Sequence, residues 1–470
     1  MFNDLKIPKV KGLKEQDFIK LTRLLEIYNE HSRPNEIKNK YYEGHVKLSD
    51  VNLGIALPDK VGKLEVGCDW GAKAVDVLAS MSMFDGFVGR NGMAVGSVDS
   101  IVLGNKLLKE YPKACRDELK YGCTFGTLSK DEKVKCAIKF HTPETASAEW
   151  SGKKGRIDYG LAIIDAEFNH ITKVWSPNLI NMYTDTDTIV LKKENNNWIA
   201  EYHHHKLGRP LMEPLVWNPT SGKPFGRARL KYSVRKLIDG YIRAVANATI
   251  ALEFSTTPQK YMLGLTDEQF DLIVNEKFKQ YVGSILAATS NPENGEKPAV
   301  GQFPQGSLTP HTEMIRILAT QFSAATGLSV TDTGVVNDAN PTSSDAILAQ
   351  TRTLILMAEQ LNTANGESLN TIIKMAQAIA QDKTLEDLLP EEKEVMAHFK
   401  NPAMPSVAVT ADAAVKIATS RPEFASTDVY LEMIGFDQAD IRRIKAQESR
   451  IRGRALLEDI ENENNEEGLE

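Results

Sequence analysis

Apolar residues at Phe18, Leu21, Leu24, Leu25 and Tyr28 recur by threes and fours among charges, so the stretch from about Lys14 to Asn29 predicts a helix of about four turns with one apolar face. A second helix is predicted from Asp69 to Met83. Between them, Tyr41-Tyr42-Glu43-Gly44 and Leu53-Gly54-Ile55-Ala56-Leu57-Pro58 are punctuated by Gly and Pro and read as a connecting loop. From Val134 to Val216 the pattern changes to short β-branched and aromatic runs: Cys136 to Phe140, Tyr159 to Ile164, Ile171 to Trp175, Thr188 to Leu191 and Trp198 to Tyr202. Gly, Asn and Asp clusters separate them too closely for helical crossovers, so the region predicts a small, mostly antiparallel sheet.

Beyond a junction rich in proline (Pro210, Pro214, Pro219, Pro224) the helical period returns. Leu230, Val234, Leu237, Tyr241, Val245, Ala248 and Leu252 lie on one stripe of a helix predicted over Arg227 to Ser255, roughly 40 Å long. Pro258 ends it. Strands are predicted at Lys260 to Leu265 and Pro298 to Phe303, with a short helix around Glu268 to Phe278 and an exposed loop at Ser290 to Pro298. Thr309 and Pro310 supply an N-cap and a first-turn proline for a helix with Ile315, Leu318, Phe322 and Ala325 on one face, closed by Gly327. Two amphipathic helices thus flank one small excursion, the plan of a helical hairpin with an elaborated tip.

Ser329 to Ser343 is polar and broken by Gly334 and Pro341, hence a loop. A helix capped by Ser343 or Ser344 should then run to about Gln381, with Ile347, Leu354, Leu361, Leu369, Ile372 and Met375 as its apolar positions and a kink at Asn365-Gly366. After Leu385 come short helices, an extended segment at Pro402 to Val409, a basic helix bearing Arg442, Arg443, Lys445, Arg450, Arg452 and Arg454, and an acidic end, Glu458 to Glu470, that should fray. The fold class is α+β and helix-rich.

The 470 residues can bury a sizeable core, and 42% hydrophobic with 25% charged residues is ordinary globular composition. The net charge of −7 argues against a protein that coats nucleic acid by neutralising phosphates. It is compatible with a channel in which DNA slides, because strong Lys or Arg contacts would brake the movement. The predicted long helix is the exception, with Arg227, Arg229, Lys231, Arg235, Lys236 and Arg243 against Asp239 and Glu253. That bias fits a solvated face, intersubunit ion pairs or DNA-facing charge. Cys68, Cys115, Cys123 and Cys136 show no CxxC spacing, which predicts reduced thiols, and no signal peptide or membrane span is apparent. These features place the protein in a cytoplasm.

Motifs for chemistry are sparse. His203 to His205 are adjacent, and neighbouring strand residues point to opposite faces, so at most two could meet on a metal. Asp185-Thr186-Asp187 matches a metal-and-phosphate motif of glycosyltransferases but is equally common in turns. Ser151-Gly152-Lys153-Lys154 and Ser221-Gly222-Lys223 are fragments of a phosphate loop without its full spacing. No nucleophile elbow, HExxH helix or dinucleotide fingerprint is present, so neither a catalytic site nor a cofactor is predicted.

The order of features resembles the portal proteins of siphophage-type tailed phages over nearly the whole chain. NKYYEGHVKL followed by LGIALP is similar to their tyrosine-tyrosine-x-glycine segment, and CDWGAKAVDVLASMSMFDGF to the helix that follows it. PLMEPLVWNPTSGKPFGRARLKYSVRKLIDGYIRAVANATIALEFSTTPQKYMLGL is the most specific block, and NPTSSDAILAQ is similar to the family's junction between tunnel loop and helix. The resemblance implies a virion protein, assembled in the host cytoplasm, that forms a ring of usually twelve copies at one capsid vertex. Double-stranded DNA would pass through it without sequence specificity. Its further partners would be the terminase large subunit, a head-to-tail adaptor, and the major capsid and scaffolding proteins, with no membrane.

Carried over by position, residues 1–226 would form a wing, 227–256 and 309–328 stem helices, and 257–308 a clip. Residues 329–343 would be a tunnel loop, 344–420 the kinked helix and a return to the wing, and 421–470 crown helices with the acidic tail. Thr331, Asp332, Thr333, Asn337, Asp338 and Asn340 would face DNA. Leu230, Val234, Leu237, Tyr241, Val245, Leu252, Ile315, Leu318 and Phe322 would pack the stem. Arg235, Lys236 and Arg243 would serve the channel or subunit contacts, and Lys260, Lys277, Lys279 and Lys297 the docking of adaptor and terminase. The rival readings are a different oligomeric scaffold and an enzyme acting on nucleic acid or sugars. A central pore of duplex width separates both from a portal.

Overall fold

The computed structural model describes residues 2, 5–46, 66–89, 96–170, 173–195, 197–256, 260–263, 299–302, 306–335, 344–403, 407–436 and 438–467. The chain divides into two compact units, one of Met1–Glu43, Ala72–Lys231 and Pro341–Glu470, the other of Gly44–Gly71 and Tyr232–Asn340.

The first unit opens with β1 (Val10–Lys11) and α1 (Glu15–Tyr42). The helix runs past its predicted end and through Pro34, taking in Tyr41 and Tyr42, which were expected in a loop. Proline at 34 removes the hydrogen bond to the Glu30 carbonyl, but both residues are exposed and water can serve that carbonyl. Beyond it, Lys38 Nζ donates to the Tyr121 carbonyl at 2.8 Å and fixes the last turns. After α2 (Trp70–Met81) come β2 (Phe84–Val88), α3 (Gly96–Gly104) and α4 (Leu107–Tyr121).

Eight strands follow: β3 (Cys123–Asp131), β4 (Lys135–His141), β5 (Ala146–Ser151), β6 (Arg156–Asn169), β7 (Val174–Tyr183), β8 (Asp187–Glu194), β9 (Asn197–His204) and β10 (Met212–Val216). They form a six-stranded sheet, β1-β9-β8-β7-β6-β5, and a three-stranded sheet, β10-β3-β4. All pairs are antiparallel except β1 with β9. Alternation along the strands turns Leu161, Ile163, Ile180, Met182, Ile189 and Leu191 to one face, where Leu21, Leu24, Leu25 and Tyr28 of α1 seal them.

In the second unit, α5 (Tyr232–Thr256) leads to β11 (Lys260–Leu263), which pairs antiparallel with β12 (Ala299–Gln302), and α6 (Thr309–Thr326) returns. The hairpin plan is as the sequence predicts. The short helix around Glu268 and the loop at Ser290 lie outside the described residues.

The first unit resumes with α7 (Ser344–Gln381), which continues helically through Asn365-Gly366, followed by α8 (Pro390–Lys393) and β13 (Met396–Phe399), paired with β2. Leu354, Leu361, Leu369, Ile372 and Met375 of α7 are buried. The chain closes with α9 (Val407–Ser420), α10 (Asp428–Ile434) and α11 (Gln438–Glu467). Helix α9 begins inside the stretch expected to be extended, and α11 carries the acidic end to Glu467 instead of fraying at Glu458. Arg442 pairs with Asp99 at 3.0 Å and Lys445 pairs with Asp428, which tie the start of α11 down.

Candidate functional site

The hairpin of the second unit buries one broad apolar face between its helices. Val234, Ile238, Ile242 and Ala246, spaced by fours on α5, are buried, as are Leu318, Ala319 and Phe322 on α6. The helices approach closely at Gly240, where a Cβ would lie 3.1 Å from Leu318 Cδ2. The predicted stripe falls one position away: Leu237, Tyr241 and Val245 are half-buried and Leu252 is 47% exposed. On α6, Ile315 is half-buried, while Met314 and Ile317 are 48% and 50% exposed. Of the predicted packing residues, Val234, Leu318 and Phe322 thus lie inside the chain, and Leu237, Val245 and Leu252 face outward to differing degrees.

Leu230 is a correction, because it precedes the helix. Gly226, at φ +68°, sits so close to the Trp217 carbonyl that any Cβ would collide. Arg227 N–H then donates to Trp217 O at 3.1 Å and Arg229 N–H to Leu119 O at 2.9 Å. These bonds hold residues 226–231 out of helical geometry and delay the start of α5 to Tyr232. Arg227, Arg229 and Lys231 therefore leave the basic run expected on the helix. Arg229 is buried, its Nε donating to the Ala74 carbonyl and its guanidinium 5.9 Å from the Trp217 ring, and burial lowers its pKa to about 10.

Sequence reasoning missed Trp70, the residue that organises the second unit. Its buried indole stacks on Tyr241 (centroids 4.2 Å apart) and on Phe322 (4.7 Å), one from each hairpin helix. Its Nε1 donates to the Thr333 carbonyl at 3.1 Å. One ring therefore joins both helices to the loop after α6. An apolar stripe signals that a helix is covered without naming the covering residue, and only the rarity of tryptophan pointed to position 70.

That loop begins with a 3₁₀ turn, Thr331–Thr333, closed by Gly334 at φ +79°. The Asp332 carboxylate accepts from Ser329 N–H (2.9 Å) and Ser329 Oγ (2.8 Å). Thr331 is exposed, but Thr333, expected to face DNA, is turned inward, its hydroxyl donating to the Val330 carbonyl at 2.5 Å. The turn is a hydrogen-bonded root, and Asn337, Asp338 and Asn340 lie outside the described residues.

Among the basic residues, Lys236 pairs with buried Asp239 at 2.8 Å, and its pKa is raised by that bond; Arg235 is half-buried and Arg243 exposed. Lys260 lies in β11, opposite Gln302. Lys277, Lys279 and Lys297 lie outside the described residues. The fragments that suggested phosphate or metal binding are hairpin turns. Ser151 to Lys154 joins β5 to β6, Thr220 and Lys223 close a turn on each other, and Asp185 at the β7–β8 turn binds Lys154 and Arg156. His203 and His204 approach different carboxylates, Glu201 (3.4 Å) and Asp187 (3.3 Å). Among the described residues no three His, Cys, Asp or Glu side chains gather to hold a metal. The four cysteines are buried free thiols, and burial pushes Cys68, Cys123 and Cys136 up to about 12. Among the described residues, no helix is long and apolar enough to cross a membrane.

A family model, phage portal protein, SPP1 Gp6-like, matches residues 10–454. The chain belongs to this portal family. Three solved structures are similar to it at 12% identity: the virion of a native gene transfer agent particle (78% of this chain, 89% of that one, TM-score 0.45), the neck of an empty particle (75% and 86%, 0.46), and the neck of a native particle computed with C12 symmetry (78% and 89%, 0.45). No curated protein matches the chain. Portals are structural proteins of the particle.

Proposed function

We propose that this portal protein closes into a ring of about twelve copies at one capsid vertex, and that double-stranded DNA enters and leaves the head through its axis. The helices 232–256 and 309–326 form the stem, the pair of strands at their far ends belongs to the clip, and residues 329–343 form the tunnel loop. The two larger sheets, α7 and α9 form the wing, and α10 and α11 the crown. Terminase docks on the clip during packaging, a head-to-tail adaptor replaces it afterwards, and scaffolding and major capsid proteins surround the wing.

The observation that carries this reading is apolar surface left uncovered on the hairpin. The middle of the hairpin is covered by its own two helices, yet Leu252, Met314 and Ile317 remain about half exposed on it. A lone subunit leaves that surface in water, whereas identical neighbours around an axis bury it and create the hole. Negative-stain images of the purified protein should show rings with a central hole of duplex width. A compact, stable monomer would overturn the proposal, and rings with a narrower or filled centre would favour a different scaffold.

Leu252→Asp combined with Ile317→Asp should leave the subunit folded, because both positions are exposed in it, and should abolish rings in sedimentation. Unaltered rings would remove the stem from the interface. For the loop, deleting residues 336–340 spares the 3₁₀ root and the Trp70 bond. Ring assembly should persist while full-length genome packaging or retention falls severely; normal packaging would take DNA handling away from this segment.

A further inference from the structure

Strands β6 and β7 outrun their neighbours. Strand β5 leaves β6 after Ala162 and the pairing of β8 with β7 begins at Leu179, so the pairs from Ala166–Pro177 to Asn169–Val174 have no strand on either side and carry the hairpin past the six-stranded sheet. Near its tip Phe168 stands directly opposite Trp175, with ring centroids 5.3 Å apart. Trp175 is nevertheless 39% exposed and its neighbour Val174 51%. Successive strand residues point to opposite faces, so the tip is apolar on both. A ribbon resting on its own core is apolar on one face only, whereas a tip apolar on both suits insertion into a groove.

The same unit carries such a groove at the other end of β6. Trp150 of β5, Val216 of β10, Pro219 and Pro224 of the segment after it, and Ala364 of α7 line an open space of about 650 Å³. That size lies within the range of sites that enclose a bound group, roughly 300 to 1,000 Å³. Phe225 braces Trp150 edge-on, 5.8 Å between centroids. Proline against an aromatic ring is also the contact by which aromatic grooves take proline-rich segments. Trp150 pairs with Ile157 and Trp175 with Phe168, and along β6 those two partners lie roughly 35 Å apart at about 3.3 Å per residue. Tip and groove therefore cannot meet within one chain. Lys173 flanks the tip, and Glu367 lies on α7 between Ala364 and Ser368, which both line the groove. Both charges are exposed, and neither has an ion pair among the described residues.

We propose that Val174 and Trp175 at the hairpin tip plug the proline-lined groove of the adjacent copy, a wing-to-wing contact separate from the stem. A cyclic assembly presents unlike patches to its two neighbours, and a plug at one end of a sheet with its groove at the other meets that requirement. The contact rests on the ring proposed above, and it brings Lys173 toward the partner's Glu367.

Cysteine pairing in assembled full-length rings tests this. Val174→Cys leaves Trp175 in place, and Ser221→Cys stands on the lining of the groove; both positions are exposed. A disulfide needs Cα atoms within about 7 Å, so sites this far apart cannot close within one chain. The four native thiols are buried. Mild oxidation of the double variant should give a ladder of covalent multimers on non-reducing gels, at least tenfold above either single variant. Adding Trp175→Ser should cut the ladder at least fivefold, while negative-stain rings persist on their stem. Rings whose chains stay single on the gel, a ladder equally strong in a single variant, or one undiminished by Trp175→Ser would each overturn the contact and leave the ring standing. Absence of rings from the parent protein would instead remove the ring, and this contact with it.

Discussion

Trp70→Ala should destabilise the hairpin unit by about 3–5 kcal/mol, the range for losing a fully packed tryptophan. The indole touches Tyr241 and Phe322, so its removal opens a cavity between the two helices and strips both rings of their stacking partner. The Thr333 carbonyl loses its donor as well. Trp70→Phe separates these effects. It keeps an aromatic ring between the helices but deletes the N–H, so it should lose about 1–2 kcal/mol, concentrated at the loop root. Urea unfolding gives the totals, and amide exchange at Thr331 to Gly334 locates them. Equal losses in the two variants would mean that the hydrogen bond, not the packing, dominates. No loss in either would remove Trp70 from the organising role. Because the root carries the loop proposed to meet DNA, the Phe variant should also assemble normally while retaining DNA less well.

Elements whose sequence period is long and uninterrupted were legible. Both hairpin helices and the strands flanking its tip fall within a few residues of their predicted places, because four or more turns of apolar spacing outweigh any single residue. What escaped prediction turned mostly on prolines and on distant partners. Pro34 sits on the solvent side of a helix that runs on past its predicted end at Asn29. Pro214 reads as a junction yet lies in β10, an edge strand where a missing donor is tolerated. Pro177 lies in β7 beyond the reach of β8, whose pairing begins at Leu179. The delayed start of α5 depends on carbonyls of Trp217 and Leu119, which no local pattern of residues 226–231 reveals. The same holds for the hairpin's uncovered surface. Periodicity shows that Leu237, Tyr241, Val245 and Leu252 share a face, but Trp70 decides that Tyr241 is covered within the subunit while Leu252 is not.

The Asn365-Gly366 pair, read as a kink, has another use, and it leads to the second large effect. Asn365 is fully buried and donates to Glu118 Oε2 (2.7 Å) and to Tyr111 OH (3.0 Å), while Ser82 bridges Tyr111 (2.7 Å) and Asn362 (2.6 Å). This polar chain fastens α7 to α4 and contains no cation. Burial therefore pushes the Glu118 carboxyl up to about 8, against 4.5 in the open chain. Between those values the unfolded chain releases the proton and the folded chain keeps it, so stability is fully present below about pH 4.5 and falls as pH rises toward 8. The loss for a group this deeply buried is on the order of 3–5 kcal/mol. Glu118→Gln keeps the shape and the Asn365 bond but cannot ionise. It should match the parent near pH 4 and exceed it by several kcal/mol in chemical unfolding at pH 8.5. Glu213 and Asp117, also raised by burial to about 7 and 6, bend both curves alike, so the difference between the curves isolates Glu118. Parallel curves for parent and variant would mean that the carboxyl is charged in the fold, with a counter-charge or water reaching Oε1, the oxygen left without a partner.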